Sequence, residues 1–287
     1  MEVIDGVKNG EFTTYYTSGK VRTEKYFSDG KIEGPAKMFS EDGKLLQVVN
    51  YENNKKEGLT QIYYSNGNLK MELNFAGNVQ HGLTKYYYEN GELKAEVNYV
   101  NGVRDGHAKA YYQTGTIQIN ENLKDGKREG ITTTYYKSGS VKGEWNYKNG
   151  VTHGTSRFYF EDGNVLGIKN FQNGRDDGVT KIFYKNGELK EETHFKDGQK
   201  HGVQKSFRPD GSLKVEKNYA NGNVTEINSS EAESEEYKQE DKQEHEEIIY
   251  NKETVKSGKS PLTAAAGITV IFLIIFATSL PPHMKVT

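Results

Sequence analysis

The strongest constraint on the fold is a glycine that returns every 24 residues between Gly10 and Gly202. A second glycine and two aromatic positions follow the same period over nine copies. A fixed period of this length is typical of repeat proteins, in which each unit packs against its neighbours. The glycine columns are Gly10, Gly34, Gly58, Gly82, Gly106, Gly130, Gly154, Gly178 and Gly202, and Gly19, Gly43, Gly67, Gly91, Gly115, Gly139, Gly163, Gly187 and Gly211.

Each repeat is predicted to form two antiparallel strands, which run over 11–17 and 20–27 in the first copy. Dipeptides such as Asn66-Gly67 separate the two strands, and a second series such as Asn101-Gly102 joins one repeat to the next. Asn-Gly and Asp-Gly supply the positive φ angles of a type I′ turn, so both series predict two-residue turns. Because strands lie about 4.8 Å apart, nine repeats predict an all-β, elongated, single-layer antiparallel β-meander about 85–90 Å long.

The copy at Gly82–Gly102, GLTKYYYENGELKAEVNYVNG, resembles the MORN repeat in its variant form, and Gly178–Gly198 is nearly as close. The resemblance covers roughly residues 5–222 and implies an elongated antiparallel sheet of hairpins. It also implies a membrane-associated scaffold, an accessory module beside a catalytic domain or, as in the YwqK antitoxin-like family, a toxin-neutralising protein. No catalytic domain is predicted after these repeats, and Tyr or Phe stands where standard units carry Trp.

The composition limits the classes of function. A hydrophobic fraction of 33% suits a thin architecture, and the lack of cysteine excludes disulfide frameworks and thiolate metal sites. Residues 225–260 carry eleven acidic and five basic side chains, so the repeats sit near a charge of +3. That field is too weak to predict nucleic-acid binding.

The period ends after Gly222, and the composition changes twice. Residues 225–260 are polar and acidic, which predicts a disordered linker. Leu262–Leu280 has nineteen residues without a charge, which as a helix would span about 28 Å and predicts a transmembrane helix.

Three lysines precede this span at positions 252, 256 and 259 and one follows at 285, which favours cytoplasmic repeats and a single-pass tail anchor. A lipid-anchor attachment signal at 257–260 is the alternative. The predicted organisation is an incomplete N-terminal repeat at 1–9, the repeat array at 10–224, the linker at 225–260, the helix at 261–281 and a short tail at 282–287.

No constellation of residues predicts catalysis, a cofactor or a metal. His81, His153 and His201 share one column but lie about 20–30 Å apart along the predicted sheet, so they cannot ligate one ion and are interpreted as a polar edge. An asparagine column is interpreted as a side-chain amide ladder or as caps of the adjacent turns. Glutamates at 72, 96, 144, 192 and 216, near lysines at 70, 94, 142, 190 and 214, are interpreted as exposed ion pairs.

The sequence therefore predicts a non-enzymatic, membrane-anchored scaffold that binds protein partners, with lipid headgroups as a second candidate ligand and a homodimer as a candidate assembly. An antitoxin-like protein that neutralises a toxin partner is the alternative. The second aromatic of each first strand is the predicted binding face, although these rings could instead pack against neighbouring repeats or a second copy. The residues of that face are Tyr16, Tyr64, Tyr88, Tyr112, Tyr136, Phe160 and Tyr184.

Overall fold

A computed structural model describes residues 2–4 and 7–229, which form one open antiparallel sheet without a helix in that part of the chain. Each strand pairs with the strand that precedes or follows it, so the sheet is a meander and the predicted fold class is confirmed. In four repeats the first strand is interrupted by one residue, so a two-residue segment precedes the longer part and is numbered as a separate strand. The predicted linker at 225–260 lies almost entirely outside the described residues, and the predicted transmembrane helix lies wholly outside them.

The strands of the first half are β1 (Glu2–Ile4), β2 (Val7–Tyr15), β3 (Val21–Ser28), β4 (Lys31–Phe39), β5 (Leu45–Glu52), β6 (Lys55–Tyr63), β7 (Leu69–Ala76), β8 (Val79–Gln80), β9 (Gly82–Tyr87), β10 (Leu93–Val100), β11 (Val103–Tyr111) and β12 (Ile117–Lys124). Those of the second half are β13 (Lys127–Arg128), β14 (Gly130–Tyr135), β15 (Val141–Lys148), β16 (Val151–Thr152), β17 (Gly154–Tyr159), β18 (Val165–Gln172), β19 (Arg175–Asp176), β20 (Gly178–Phe183), β21 (Leu189–Lys196), β22 (Gln199–Phe207), β23 (Leu213–Ala220) and β24 (Asn223–Ser229).

The turns between repeats have the predicted type I′ conformation. Asn101 and Gly102 have φ angles of 49° and 80°, as a type I′ turn requires at both central positions. Asn53 and Asn54, which lack the glycine, adopt the same conformation with φ angles of 50° and 65°. Asparagine tolerates this left-handed region because its short side chain can bond locally.

The loops inside each repeat differ from the prediction. Gly67 has a φ of 90°, but Asn66 does not have a positive φ, so these loops are not type I′ turns. The Gly67 N–H donates to the Tyr64 carbonyl at 3.0 Å, and the Tyr64 N–H donates to the Asn68 carbonyl at 2.8 Å. This is a three-residue loop with glycine in the left-handed position. The Asn66 side chain accepts the Asn68 N–H at 2.9 Å, which explains why Asn or Asp precedes the glycine.

A two-residue bulge lies between consecutive repeats and explains the first glycine column. Val97 pairs with Ala108 and Tyr99 with Arg104, so Asn98 faces three residues of the next strand. Its amide donates to the Asp105 carbonyl at 2.9 Å. A Cβ on Gly106 would lie 3.3 Å from that amide, and the φ of Gly106 is 92°.

The asparagine column therefore caps bulge carbonyls in repeats where a bond is described, and the amide-ladder alternative is not observed there. Asn50, Asn74 and Asn170 donate to the next strand at 2.6, 2.6 and 2.7 Å. His194 takes the same place, with its Nδ1 2.8 Å from the Val203 carbonyl.

One face of the ribbon is the core face, and its centre contains a continuous cluster of buried side chains. The cluster comprises Tyr86, Ala95, Val97, Tyr99, Ala108, Ala110, Ile119 and Leu123. Further along, Trp145 packs edge-on against Phe158 with ring centroids 4.7 Å apart. Gly143 and Gly167 leave room for this pair, because a Cβ on either would lie within 4 Å of the Phe158 ring.

The core face also contains a buried ion pair. The Arg128 Nε lies 3.0 Å from a Glu121 carboxylate oxygen, and the two side chains are 7% and 0% exposed. Arg128 also donates to the Tyr147 hydroxyl at 2.9 Å and lies over that ring at 4.8 Å. Removing one partner would leave an unpaired buried charge, which is strongly destabilising. Because the two residues belong to neighbouring repeats, the pair stabilises the contact between those repeats.

The array changes at Glu226, which occupies the glycine position of the next repeat. The pairing of β23 with β24 contains one extra residue at this bulge, since Tyr219 pairs with Val224 and Asn218 with Glu226. The Asn218 amide binds the Glu226 carboxylate at 3.0 Å. A side chain at this position disfavours the positive φ that the regular bulge requires.

Candidate functional surface

The rings of the predicted binding face lie at the margin formed by the loops, where they link successive repeats. The Tyr88 hydroxyl donates to the Tyr111 carbonyl of the next repeat at 2.8 Å. Equivalent bonds run from Tyr16 to Phe39, Tyr64 to Tyr87, Tyr112 to Tyr135, Tyr136 to Tyr159, and Tyr184 to Phe207. Phe160 has no hydroxyl for this bond. The rings thus contribute to packing between repeats, and contact with a partner through them stays a prediction.

The lysines predicted to form ion pairs with glutamates have a different contact. Lys94 lies over the Tyr88 ring at 5.4 Å, and Lys142 lies over Tyr136 at 5.2 Å. Three of the glutamates bind a lysine on the paired strand, as Glu96 does with Lys109 at 3.6 Å, Glu192 with Lys181 at 3.3 Å and Glu216 with Lys205 at 3.5 Å. The glutamate part of the prediction is confirmed with other partners, because strand alternation places those lysines directly opposite.

The first aromatic column binds the same glutamates. The Tyr87 hydroxyl donates to Glu72 at 2.7 Å, and the Tyr111 hydroxyl donates to Glu96 at 2.8 Å. Burial and then the carboxylate bond raise the pKa of Tyr87 to about 12, and the same causes raise the pKa of Tyr111 to about 12. Both phenols stay protonated at neutral pH, so they hold the glutamates in place and supply no base.

The histidine column contains hydrogen-bond acceptors that cap the turns of the following repeat. The Glu57 carboxylate accepts the Gly77 N–H at 2.7 Å, and His81 Nδ1 lies 3.5 Å from the Asn101 nitrogen. The interpretation as a merely solvated edge missed this role, although every member of the column can accept a hydrogen bond. In residues 2–4 and 7–229, no three His, Cys, Asp or Glu side chains meet in a metal-binding group.

One hollow on the core face is too small to be a substrate pocket. It is lined by Lys25, Ala36, Val49 and Tyr51 among others and has a volume of about 10 Å³. This is room for about one water molecule.

Comparison with known families identifies this architecture. The profile of the MORN repeat variant matches residues 8–29, 32–53, 56–76, 80–101, 128–149, 152–173, 176–197 and 200–221. The chain belongs to the MORN repeat-variant family. The profile does not match the segment 104–125. This segment nevertheless forms a pair of strands, β11 and β12, like those of the other repeats. This MORN repeat carries Leu123 at the aromatic position, so it differs from the other repeats in sequence but has the same fold.

Solved structures give weaker likenesses. A crystal structure of TcdB2-TccC3 is 12% identical with a TM-score of 0.21, and the match covers 76% of this chain and 14% of that chain. A crystal structure of TcdB2-TccC3-Cdc42 is 11% identical with a TM-score of 0.18, and the match covers 78% and 15%. The MORN chain thus spans less than a sixth of either chain, and similarity this low carries no argument about function. No curated protein matches the sequence.

Proposed function

We propose that this MORN repeat protein is a non-catalytic, membrane-anchored scaffold that binds protein partners along its ribbon. The observation that carries this proposal is the single-layer sheet, which leaves the face opposite the core and both long margins at the surface. Apolar side chains on the face opposite the core are accessible, as Leu83 and Ile131 are 39% and 60% exposed. These two positions are accessible points on the open face at which contact with a partner can be tested.

The recurring polar side chains support a role in binding and not in catalysis. Tyrosine hydroxyls bind carbonyls of the next repeat, glutamates bind lysines and phenols, and acceptors cap turns. The groups named here thus have structural partners in their own or an adjacent repeat. A catalytic site would need several such groups to meet at one reacting atom.

Photo-crosslinking in cells tests the scaffold. A photoreactive phenylalanine analogue would replace Leu83 or Ile131 on the open face, or Thr114 at a loop tip, in the full chain. We expect discrete protein adducts from at least one face position and fewer from Thr114. Absence of protein adducts from all positions would contradict the scaffold.

The membrane anchor is tested separately. The described residues contain no helix long and apolar enough to cross a membrane, and the predicted span at Leu262–Leu280 lies outside them. Removing residues 260–287 should release the protein to the soluble fraction with the strand signal of the repeats retained in circular dichroism. Retention on membranes after truncation would contradict anchoring by that segment.

The predicted orientation has its own test. Asn223 and Asn228 begin N-x-S/T sequons within β24. With cytoplasmic repeats, neither should carry a glycan in a glycosylating host, as intact-mass spectrometry would show. A glycan on either residue would reverse the proposed orientation.

A further inference from the structure

The margin formed by the turns between repeats carries a row of ordered side chains. These residues are the cross-strand pairs that close successive turns, such as Val100 with Val103 and Lys124 with Lys127. The side chain of the first residue after a turn packs against the glycine of the next turn. A Cβ on Gly126 would lie 3.6 Å from Val103, and one on Gly150 would lie 3.4 Å from Lys127. We call the following set the turn-side strip: Val79, Val100, Val103, Lys124, Lys127, Lys148, Val151, Arg175 and Lys196.

The strip is apolar at one end. Val79, Val100 and Val103 are 44%, 39% and 45% exposed, and the last two are directly paired. Val79 and Val103 lie against the glycine of the next turn, at 3.7 and 3.6 Å from a Cβ built on Gly102 and Gly126. The three valines form a flat aliphatic surface of the kind that a polypeptide can cover.

The strip is basic at its other end. Lys124 and Lys127 are directly opposite each other, an arrangement of like charges that costs stability. Among the described residues, no carboxylate lies within ion-pair distance of these lysines, Lys148, Arg175 or Lys196. Two nearby carboxylates are already used by the backbone, since Glu129 and Asp177 accept turn N–H groups at 2.8 and 3.2 Å. Five cations against the carboxylates of Asp125, Asp197, Glu129 and Asp177 leave a local excess of one positive charge, with the five cations themselves outside any ion pair within the described residues.

We propose that the turn-side strip binds an extended acidic segment of a protein partner, a specification that rests on the proposed scaffold function. Aliphatic side chains of that segment lie over Val79, Val100 and Val103, and its carboxylates lie over the cations that follow. Successive repeats are about 10 Å apart. Three residues of a polyproline II segment advance about 9 Å and complete one turn, so every third side chain of such a segment lies on the same side. The matching segment therefore carries a contacting side chain at every third residue. Charge complementarity favours a carboxylate-bearing partner and fixes the direction in which it lies.

A designed peptide tests the strip. The probe has two leucines three residues apart followed by four glutamates at the same spacing, in a serine and alanine background, with a terminal fluorophore. Its binding to the full chain in detergent micelles is measured by fluorescence anisotropy. We expect the Lys124→Glu/Lys148→Glu variant to bind about tenfold more weakly. The matched Lys20→Glu/Lys137→Glu variant, with the same charge change on the opposite margin, should bind within about twofold of the parent.

A second peptide of the same composition, with glutamates at every fourth residue, should also bind about tenfold more weakly. Equal losses in the two double variants would show attraction to net charge alone and overturn the proposal. Absence of binding by the first peptide would also overturn it. Crosslinked adducts at Leu83 or Ile131 in that case would leave the scaffold function standing.

A membrane surface is the competing occupant, and the lack of cysteine allows a direct test. Val100→Cys and, as a control, Thr114→Cys are labelled with an environment-sensitive fluorophore. Each full chain is reconstituted in phosphatidylcholine vesicles with or without phosphatidylserine. We expect no blue shift at position 100 with either vesicle and a blue shift on addition of the peptide. A blue shift at position 100 that occurs with phosphatidylserine vesicles in the absence of the peptide would overturn the proposal in favour of lipid binding.

Discussion

At the scale of single residues, a tyrosine and a glutamate fifteen residues earlier form a recurring bond. Tyr159 donates to Glu144 at 2.9 Å, as Tyr87 does to Glu72. At the equivalent positions of another repeat, Ile168 and Phe183 both lack the polar group. Other repeats keep the glutamate without the hydroxyl, as Phe39 follows Glu24 and Phe207 follows Glu192, so the bond adds to the contact between strands only where both groups are present.

We expect Glu72→Gln to lower the pKa of Tyr87 from about 12 toward its ordinary value. Because the folded-state pKa lies above the unfolded value of about 10, this phenol stabilises the fold below pH 10. The contribution is lost as the pH rises through about 12. Tyrosine ¹³Cζ NMR titration would measure the pKa. The control variant Glu96→Gln should change the pKa of Tyr87 less than Glu72→Gln does. An unchanged Tyr87 pKa in Glu72→Gln would contradict this account.

The glycines of the bulge provide a second residue-scale prediction. Gly106→Ala and Gly130→Ala both force a side chain into a positive φ, which costs about 1–2 kcal/mol. Only the first also brings a Cβ to 3.3 Å from a neighbouring atom, the Asn98 amide nitrogen, whereas Gly130 has no heavy atom within 4 Å. We expect Gly106→Ala to unfold at a lower urea concentration than Gly130→Ala. Equal midpoints would contradict a role for the asparagine contact.

At the scale of elements, the sequence predicted the strands well but not the loop type inside each repeat. Asn-Gly dipeptides occur at both kinds of turn, so composition alone does not distinguish them. Asn101 takes a positive φ, whereas Asn66 uses its side chain to accept the Asn68 N–H. The local register decides between these conformations, because each loop is followed by a bulge in the pairing. That register depends on neighbouring strands and cannot be read from the dipeptide.

The hydroxyl bonds between repeats give the element-scale prediction. Phe160 occupies a position where six other repeats have a tyrosine bonded to the next strand. We expect Phe160→Tyr to stabilise the protein by about 0.5–1.5 kcal/mol through a new bond to the Phe183 carbonyl. The reverse change, Tyr136→Phe, should destabilise by a similar amount in urea denaturation. A destabilising Phe160→Tyr would contradict the assignment.

At the scale of the molecule, the period predicted an elongated single sheet but not its interior. Glu121 and Arg128 lie in different repeats on either side of a turn. No other copy has a glutamate in the column of Glu121, although Arg104 shares the column of Arg128. Their burial depends on Tyr147 from the following hairpin, which covers the arginine. The contacts of the rings on the predicted binding face could likewise not be predicted from the period. The spacing of these rings was clear from the sequence, but their bonds depend on where the next repeat places its carbonyl groups.

Deleting one whole period tests the modular character of the ribbon. Removing residues 157–180 joins Ser156 to Lys181, which is the equivalent next position, so strand alternation is kept. We expect this variant to stay folded and to shorten by about 10 Å. Electron–electron distances between spin-labelled cysteines at positions 114 and 210 would measure the change.

Removing residues 157–179 is the matched control. This deletion moves Lys181 and the residues after it in that strand to the opposite face. We expect a lower thermal midpoint by circular dichroism than for the 24-residue deletion. Equal midpoints for the two variants would contradict the importance of the period.

The meander has a mechanical consequence. A pull on the two ends of the ribbon acts along the hydrogen bonds between strands, so it would peel hairpins from an end instead of shearing the whole sheet at once. Each peeled hairpin would release 24 residues, or about 70 Å of slack, while the remaining hairpins stay paired. A tether built in this way lengthens in steps under tension and can shorten again as each hairpin closes.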